Sequence, residues 1–447
     1  MVQVVVSKYH YSIISMMSNE RVNAIISRIR KRKDSFLIGT AASAHQVEGN
    51  NDNDWTQFER IPGNIVNREK SGLATDHYTR FDEDFTLLEQ LGFRAHRLSI
   101  EWSRIIPEPG KINSEELDHY QDVLRSLHHH NQINFVTLHH FTSPTWFIKK
   151  GGFKKRANLQ YWEEFVKIVC EHLGNDIDVF NTINEPFVYD STAYLQGTHA
   201  PGEKSMLSYI RVGNNVIRAH FIAVDIIRKY CPSKPVGIVK NLINMKSRNR
   251  NPVNKIIRSI MDWGYNSRPL KALKQGRTPF GWRKIKRGDI GDFIGINYYI
   301  KATIGLGLPD LMISHMENDQ ELTQMGWGVN PEGMKEEIKS MHKLLGLPVF
   351  ITENGIATEN DNWRIEYISQ HLEAITDLID DGIDIRGYFY WSNLDNFEWA
   401  EGYTPKFGLI KVDPETKDRS IKESGKFLGY IASEVANGQC DELIDFD

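Results

Sequence analysis

The chain has 447 residues, 40% of them hydrophobic and 25% charged, with a formal net charge of −4. This composition supports a large buried core, and without a basic stripe through its body it excludes a nucleic-acid footprint. No apolar run suits a membrane span: Ile133 to Ile148, the longest stretch free of charged residues in the motif-rich part, carries hydroxyls, two histidines and a proline.

Residues 1–34 differ from the rest. Val4, Val5 and Val6 form too short an apolar run for a signal peptide, and five of the six residues from Arg28 to Lys33 are basic. The segment reads as a dispensable helical extension, or as sequence upstream of a later start at Met16 or Met17. Residues 35–447 then form one catalytic domain.

From residue 36, strand-like runs alternate with helical patterns eight times. The strands are Phe36 to Ala42, Phe93 to Leu98, Ile133 to His140, Asp178 to Asn184, Val236 to Asn241, Asp292 to Asn297, Pro348 to Glu353 and Ile385 to Trp391. Between them, Tyr78, Phe81, Phe85 and Leu88 recur at helical spacing, as do Leu117, Tyr120, Val123, Leu124 and Leu127. Trp162, Phe165, Val169 and Leu173 repeat the pattern, followed by Val212, Val216, Ala219, Ala223 and Ile227. Gly92, Gly346 and Gly382 stand where helices need left-handed caps. Eight such units predict an α/β chain forming a single (β/α)8 TIM barrel with extended βα loops. An open doubly wound sheet would need a glycine-rich phosphate turn after the first strand, and Gly39-Thr40-Ala41-Ala42-Ser43 is not one. The stretch from Lys246 to Trp282 is the least legible.

Barrel catalysts take their functional groups from the C-terminal strand ends. Those positions hold Gln46, Arg97, His140, Asn184 with Glu185, Asn297 with Tyr299, Glu353 and Trp391. Glu185 and Glu353 each close an apolar run before a turn signal, and a pair of carboxylates so placed suits glycosidic bond cleavage. The His128 to His130 tract has no open ligand triad and falls at a helix end, while His45 and Glu48 flank Gln46, so no metal is assigned. Three cysteines, Cys170, Cys231 and Cys440, suit reduced thiols in a cytoplasmic protein.

Seven ordered stretches resemble the family 1 glycoside hydrolases, the retaining β-glucosidases and β-galactosidases. They are GTAASAHQVEG at 39–49, HRLSIEWSRI at 96–105, TLHHF at 137–141, NTINEP at 181–186, DFIGINYY at 292–299, FITENG at 350–355 and YWSNLDNFEWAEGY at 390–403. The resemblance implies Glu185 as acid/base and Glu353 as nucleophile, with Arg97 and Tyr299 holding the nucleophile and Asn184 on the sugar 2-hydroxyl. It places Gln46, His140, Asn297, Glu398 and Trp399 around the sugar, Trp391 beneath it and Trp327 at the leaving group. It implies no cofactor and a small-molecule β-glycoside or oligosaccharide as partner, with no nucleic acid and no membrane. A 6-phospho-β-glycosidase is an alternative, but Glu398 would repel a phosphate there. A non-catalytic relative would lack one of the two glutamates. Leu98, Phe141 and Asn393 depart from the usual pattern, and residues 265–290 look short, which suggests an open leaving-group side. The physiological aglycone and the oligomeric state are not encoded in these motifs.

Overall fold

Eight parallel strands follow one another around a closed ring in the computed structural model, which describes residues 19–32, 35–285, 288–307, 313–314 and 321–437. Cys440 and everything before Asn19 lie outside the described residues. The strands are β1 (Leu37–Ala41), β2 (Ala95–Ser99), β3 (Ile133–His139), β4 (Val179–Asn184), β5 (Val236–Ser247), β6 (Phe293–Ile304), β7 (Val349–Asn354) and β8 (Ile385–Trp391). β8 pairs in parallel with β1, Ile38 opposite Tyr388, and this closes the expected (β/α)8 barrel. Its interior is filled by rings from spaced strands: Phe135 lies 5.2 Å from Phe350 and 4.6 Å from Phe389 between ring centres. The barrel is therefore a packed core, with chemistry confined to its rim.

The outer helices are set by their caps and apolar faces. α2 (His77–Leu91) ends on Gly92 with φ of 92°, a left-handed geometry that favours glycine. Asn113 caps α3 (Ser114–His129), α4 (Leu159–Leu173) buries Trp162, Phe165 and Val169, and Ser205 caps α5 (Met206–Tyr230). After β5 come α6 (Pro252–Asp262) and α7 (Arg268–Lys274). Asn330 and Gly346 bracket α8 (Pro331–Leu345), Asn360 caps α9 (Asp361–Asp380), and α10 (Glu423–Ala436) follows β8. None of the described helices is long and apolar enough to cross a membrane.

Helix α1 (Asn19–Arg30) lies in the stretch expected to be an extension, and it packs on α9 and α10. Val22, Ile25, Ile26 and Ile29 are buried there. Arg21 pairs with Glu366 and Glu373, Arg28 with Asp377 and Asp380, and Arg32 with Asp384. Two residues of the basic cluster, Arg28 and Arg32, are thus ion-paired to carboxylates far along the chain. β5 and β6 run past their expected ends at Asn241 and Asn297 and stay paired as far as Ser247 and Ile304. Their extensions and α6 bury Met245, Ala302 and Ile304 against Ile257 and Met261.

Candidate active site

Glu185 stands just beyond β4 with φ of 43°, a left-handed conformation that a glutamate adopts only when its surroundings hold it there. Its N–H donates to the Val239 carbonyl at 3.0 Å, and its carbonyl accepts from the N–H groups of Val188 and Tyr189. Glu353 lies within β7. Gly355 lets the following turn pass the Trp391 carbonyl, since a Cβ there would collide with that oxygen. Strand register aligns Asn241 with Asn297, and Asn297 with Glu353. One level of the rim thus carries both amides and a carboxylate.

Hydrogen bonds tie these groups into one web. Arg97, fully buried on β2, donates to Glu353 Oε1, to Thr137 Oγ1 at 3.1 Å and to Asn184 Oδ1 at 2.8 Å. The Tyr299 hydroxyl donates to Glu353 Oε2 at 2.7 Å, so each oxygen of that carboxylate has its own donor. Asn297 Nδ2 donates to Glu185 Oε1 at 2.8 Å and Asn241 Nδ2 donates to the same oxygen at 3.2 Å. With two N–H groups on Oε1, a proton on Glu185 belongs on Oε2. Asn184 donates from Nδ2 to His140 Nε2 at 3.1 Å, which sets the His140 tautomer with its proton on Nδ1.

Burial and the charge of Glu353 push the Glu185 carboxyl up to about 7. Burial, then the charge of Glu353, raises the Tyr299 phenol well above its ordinary value and keeps it a donor. Burial and the Arg97 charge hold His140 well below the usual histidine range, so the ring is neutral.

A cavity of about 690 Å³ opens over this web. Its walls include His140, Asn184, Glu185, Tyr299, Trp327, Glu353, Trp391, Glu398 and Trp399. Gln46, Arg97 and Asn297 lie behind them: Gln46 Nε2 donates to Glu398 Oε2 at 3.1 Å, while Arg97 and Asn297 hold the glutamates. Burial, followed by the charge of Glu353, raises Glu398 to about 8. Trp391 and His140 lie 5.9 Å apart between ring centres, and Trp327 lies 5.6 Å from Tyr299. The departing residue Phe141 packs on Trp399 at 5.3 Å. The histidines weighed as metal ligands are engaged elsewhere: His45 Nε2 contacts Glu59 at 3.0 Å and His128 Nε2 contacts Asp178 at 2.9 Å.

Sequence reading missed Asn241, Tyr265 and the apolar flank. The Tyr265 hydroxyl donates to Asn241 Oδ1 at 2.9 Å and thereby turns the Asn241 amide toward Glu185. Phe187, Val188, Leu195, Ile243, Met245, Met261 and Phe280 continue the cavity outward as a largely apolar wall. The only early signal was that Asn241 closed a predicted strand, as Asn184 and Asn297 do.

A closed parallel barrel with two buried carboxyl groups on one cavity, only one of them braced by a guanidinium and a phenol, defines a glycoside hydrolase site. The family model described as Glycosyl hydrolase family 1 matches residues 30–262 and 282–437. Beta-glucosidase A of Thermotoga maritima is 33% identical over 439 residues, covering 90% of this chain and 98% of that protein. A bifunctional beta-D-glucosidase/beta-D-fucosidase of Bifidobacterium breve is 29% identical, covering 87% and 95%. The solved beta-glycosidase from Pyrococcus horikoshii superposes with a TM-score of 0.84 at 38% identity, covering 90% and 94%. The chain belongs to glycosyl hydrolase family 1.

Proposed function

We propose that this enzyme is a retaining exo-β-glycosidase acting on terminal β-D-glucosyl residues, with β-galactosides and β-fucosides as secondary substrates. The carrying observation is the inequality of the two glutamates: both oxygens of Glu353 have fixed donors, while Glu185 holds its proton to about pH 7. Glu353 attacks the anomeric carbon as Glu185 Oε2 delivers its proton to the departing oxygen, leaving a glycosyl ester on Glu353 and an anionic Glu185. The ester removes the Glu353 charge, so the proton affinity of Glu185 falls. Glu185 then takes a proton from water as that water attacks the anomeric carbon, and the ester bond breaks to return the Glu353 carboxylate.

Asn184, His140, Glu398 and Trp399 hold the sugar hydroxyls in this reading, Gln46 serves them through Glu398, and Trp391 supports the ring. Asn297 serves the site through Glu185 and Asn184, and Trp327 faces the leaving group. Where Glu398 is ionised, above about pH 8, it repels a 6-phosphorylated sugar. The buried, unbridged thiols of Cys170 and Cys231 support an intracellular setting. The test is nitrophenol release from an aryl β-glucoside by wild type and not by Glu353→Ala, with the first-formed sugar followed by NMR. Initial release of the α-anomer would overturn retention.

A further inference from the structure

Lys240 lies on β5 between Val239, whose carbonyl binds the Glu185 N–H, and Asn241, whose amide binds the Glu185 carboxyl. It is 1% exposed, and a lysine so buried needs local compensation. Its ammonium donates to the Asn241 carbonyl and lies 3.9 Å from the centre of the Tyr265 ring, with the Phe187 ring at 5.6 Å. Both of its close contacts therefore act on Asn241: one on the backbone, the other through the Tyr265 hydroxyl that sets the amide. No step of the reaction derived above uses this cation.

We propose that Lys240 is a positioning residue for the acid/base. Its ammonium, clamped between the Asn241 carbonyl and the Tyr265 face, holds the Asn241 amide on Glu185 and supplies the countercharge for the Glu185 anion of the second half-reaction. The inference rests on Glu185 being the acid/base. The charged groups facing Lys240 are Glu185, Asp190 on the short helix Pro186–Asp190 that follows β4 and Glu337 on α8, while Glu185 itself faces Glu353 and Lys240. Burial lowers Lys240 to about 7, against the pull of those anions. Burial holds Asp190 well above the ordinary aspartate range, which favours its neutral form, and burial also raises Glu337 to about 7. Ionisation of Glu185 strengthens the proton affinity of Lys240 by reciprocity, so the positive charge is firmest in the half-reaction that needs it.

The experiment compares wild type, Lys240→Met, Lys240→Arg and Tyr265→Phe. The basic limb of kcat/KM on 4-nitrophenyl β-glucoside reports protonated Glu185 in the free enzyme. The acid limb of kcat on 2,4-dinitrophenyl β-glucoside, under conditions where deglycosylation limits, reports ionised Glu185 in the glycosyl-enzyme. Without the cation the anion is disfavoured, so Lys240→Met should move both limbs upward by about one pH unit. Lys240→Arg should keep both limbs at their wild-type positions, and Tyr265→Phe should move them upward by less than Lys240→Met. Wild-type limbs in Lys240→Met overturn the proposal. Should that variant fail to fold, wild-type limbs in Tyr265→Phe, or shifted limbs in Lys240→Arg, overturn it instead. Azide separates the two levels: no rescue of Glu185→Ala refutes the acid/base assignment, whereas rescue combined with unmoved limbs refutes only the role of Lys240.

Discussion

Replacing Glu185 with glutamine should make the protein more stable above neutral pH while removing its activity on unactivated glucosides. The ordinary glutamate value is 4.5, and in the fold Glu185 stands at about 7. Between those values the native state keeps a proton that the unfolded chain has released. The stability contributed by this group is therefore intact below about pH 4.5 and falls as pH rises toward 7. A shift of this size corresponds to a penalty of about 3 kcal/mol once both states are ionised. In Glu185→Gln the side-chain amide would keep an oxygen for the Asn297 and Asn241 amides and carry no ionisable group. The measurement is chemical denaturation of both proteins at pH 5 and pH 8. Their difference should be small at pH 5 and reach about 3 kcal/mol in favour of the variant at pH 8, and parallel pH dependences would refute the reasoning. Loss of the proton donor should also lower turnover of an unactivated glucoside by about 10²- to 10⁴-fold.

Wild-type kcat/KM should decline as pH rises through about 7, following loss of the Glu185 proton, and a plateau to pH 9 would contradict this. Azide should rescue Glu185→Ala with β-glucosyl azide as product and Glu353→Ala with the α-azide; product NMR showing the reverse would exchange their roles. Asn393 is fully buried, and neither its amide nitrogen nor its amide oxygen has a partner among the described residues. Asn393→Leu should therefore stabilise by about 1–3 kcal/mol, and a lowered Tm would mean that the amide is satisfied. Ile25→Ala, on the buried face of α1, should cost about 2–5 kcal/mol of unfolding free energy while leaving kcat at 25 °C unchanged, and an unaltered denaturation midpoint would refute this packing role.

The barrel and its motif residues were legible because strand ends combine two visible signals, an apolar run and the polar residue that closes it. β8 spans Ile385–Trp391 as expected, and the other strands start within two residues of where hydrophobic runs placed them, although β5 and β6 run on past their expected ends. What escaped depends on pairing across the ring. Asn241 becomes a donor to Glu185 only because β5 sets it opposite Asn297, and Lys240 looks like an intrusion into an apolar strand until Tyr265 covers it. Tyr265 comes from the stretch whose Arg, Lys and Asn content hid its order. The docking of helix α1 was not legible because its carboxylate partners lie more than three hundred residues downstream, beyond any local pattern.

Those partners also decide when α1 can settle. As the chain is synthesised, residues 19–30 emerge early, whereas α9 and α10, which cover Val22, Ile25, Ile26 and Ile29, appear only near the end. Throughout that interval the nascent chain carries an apolar face with no native cover. The first of the described helices to be made is thus among the last to dock, and its docking marks the moment at which both ends of the barrel have been produced.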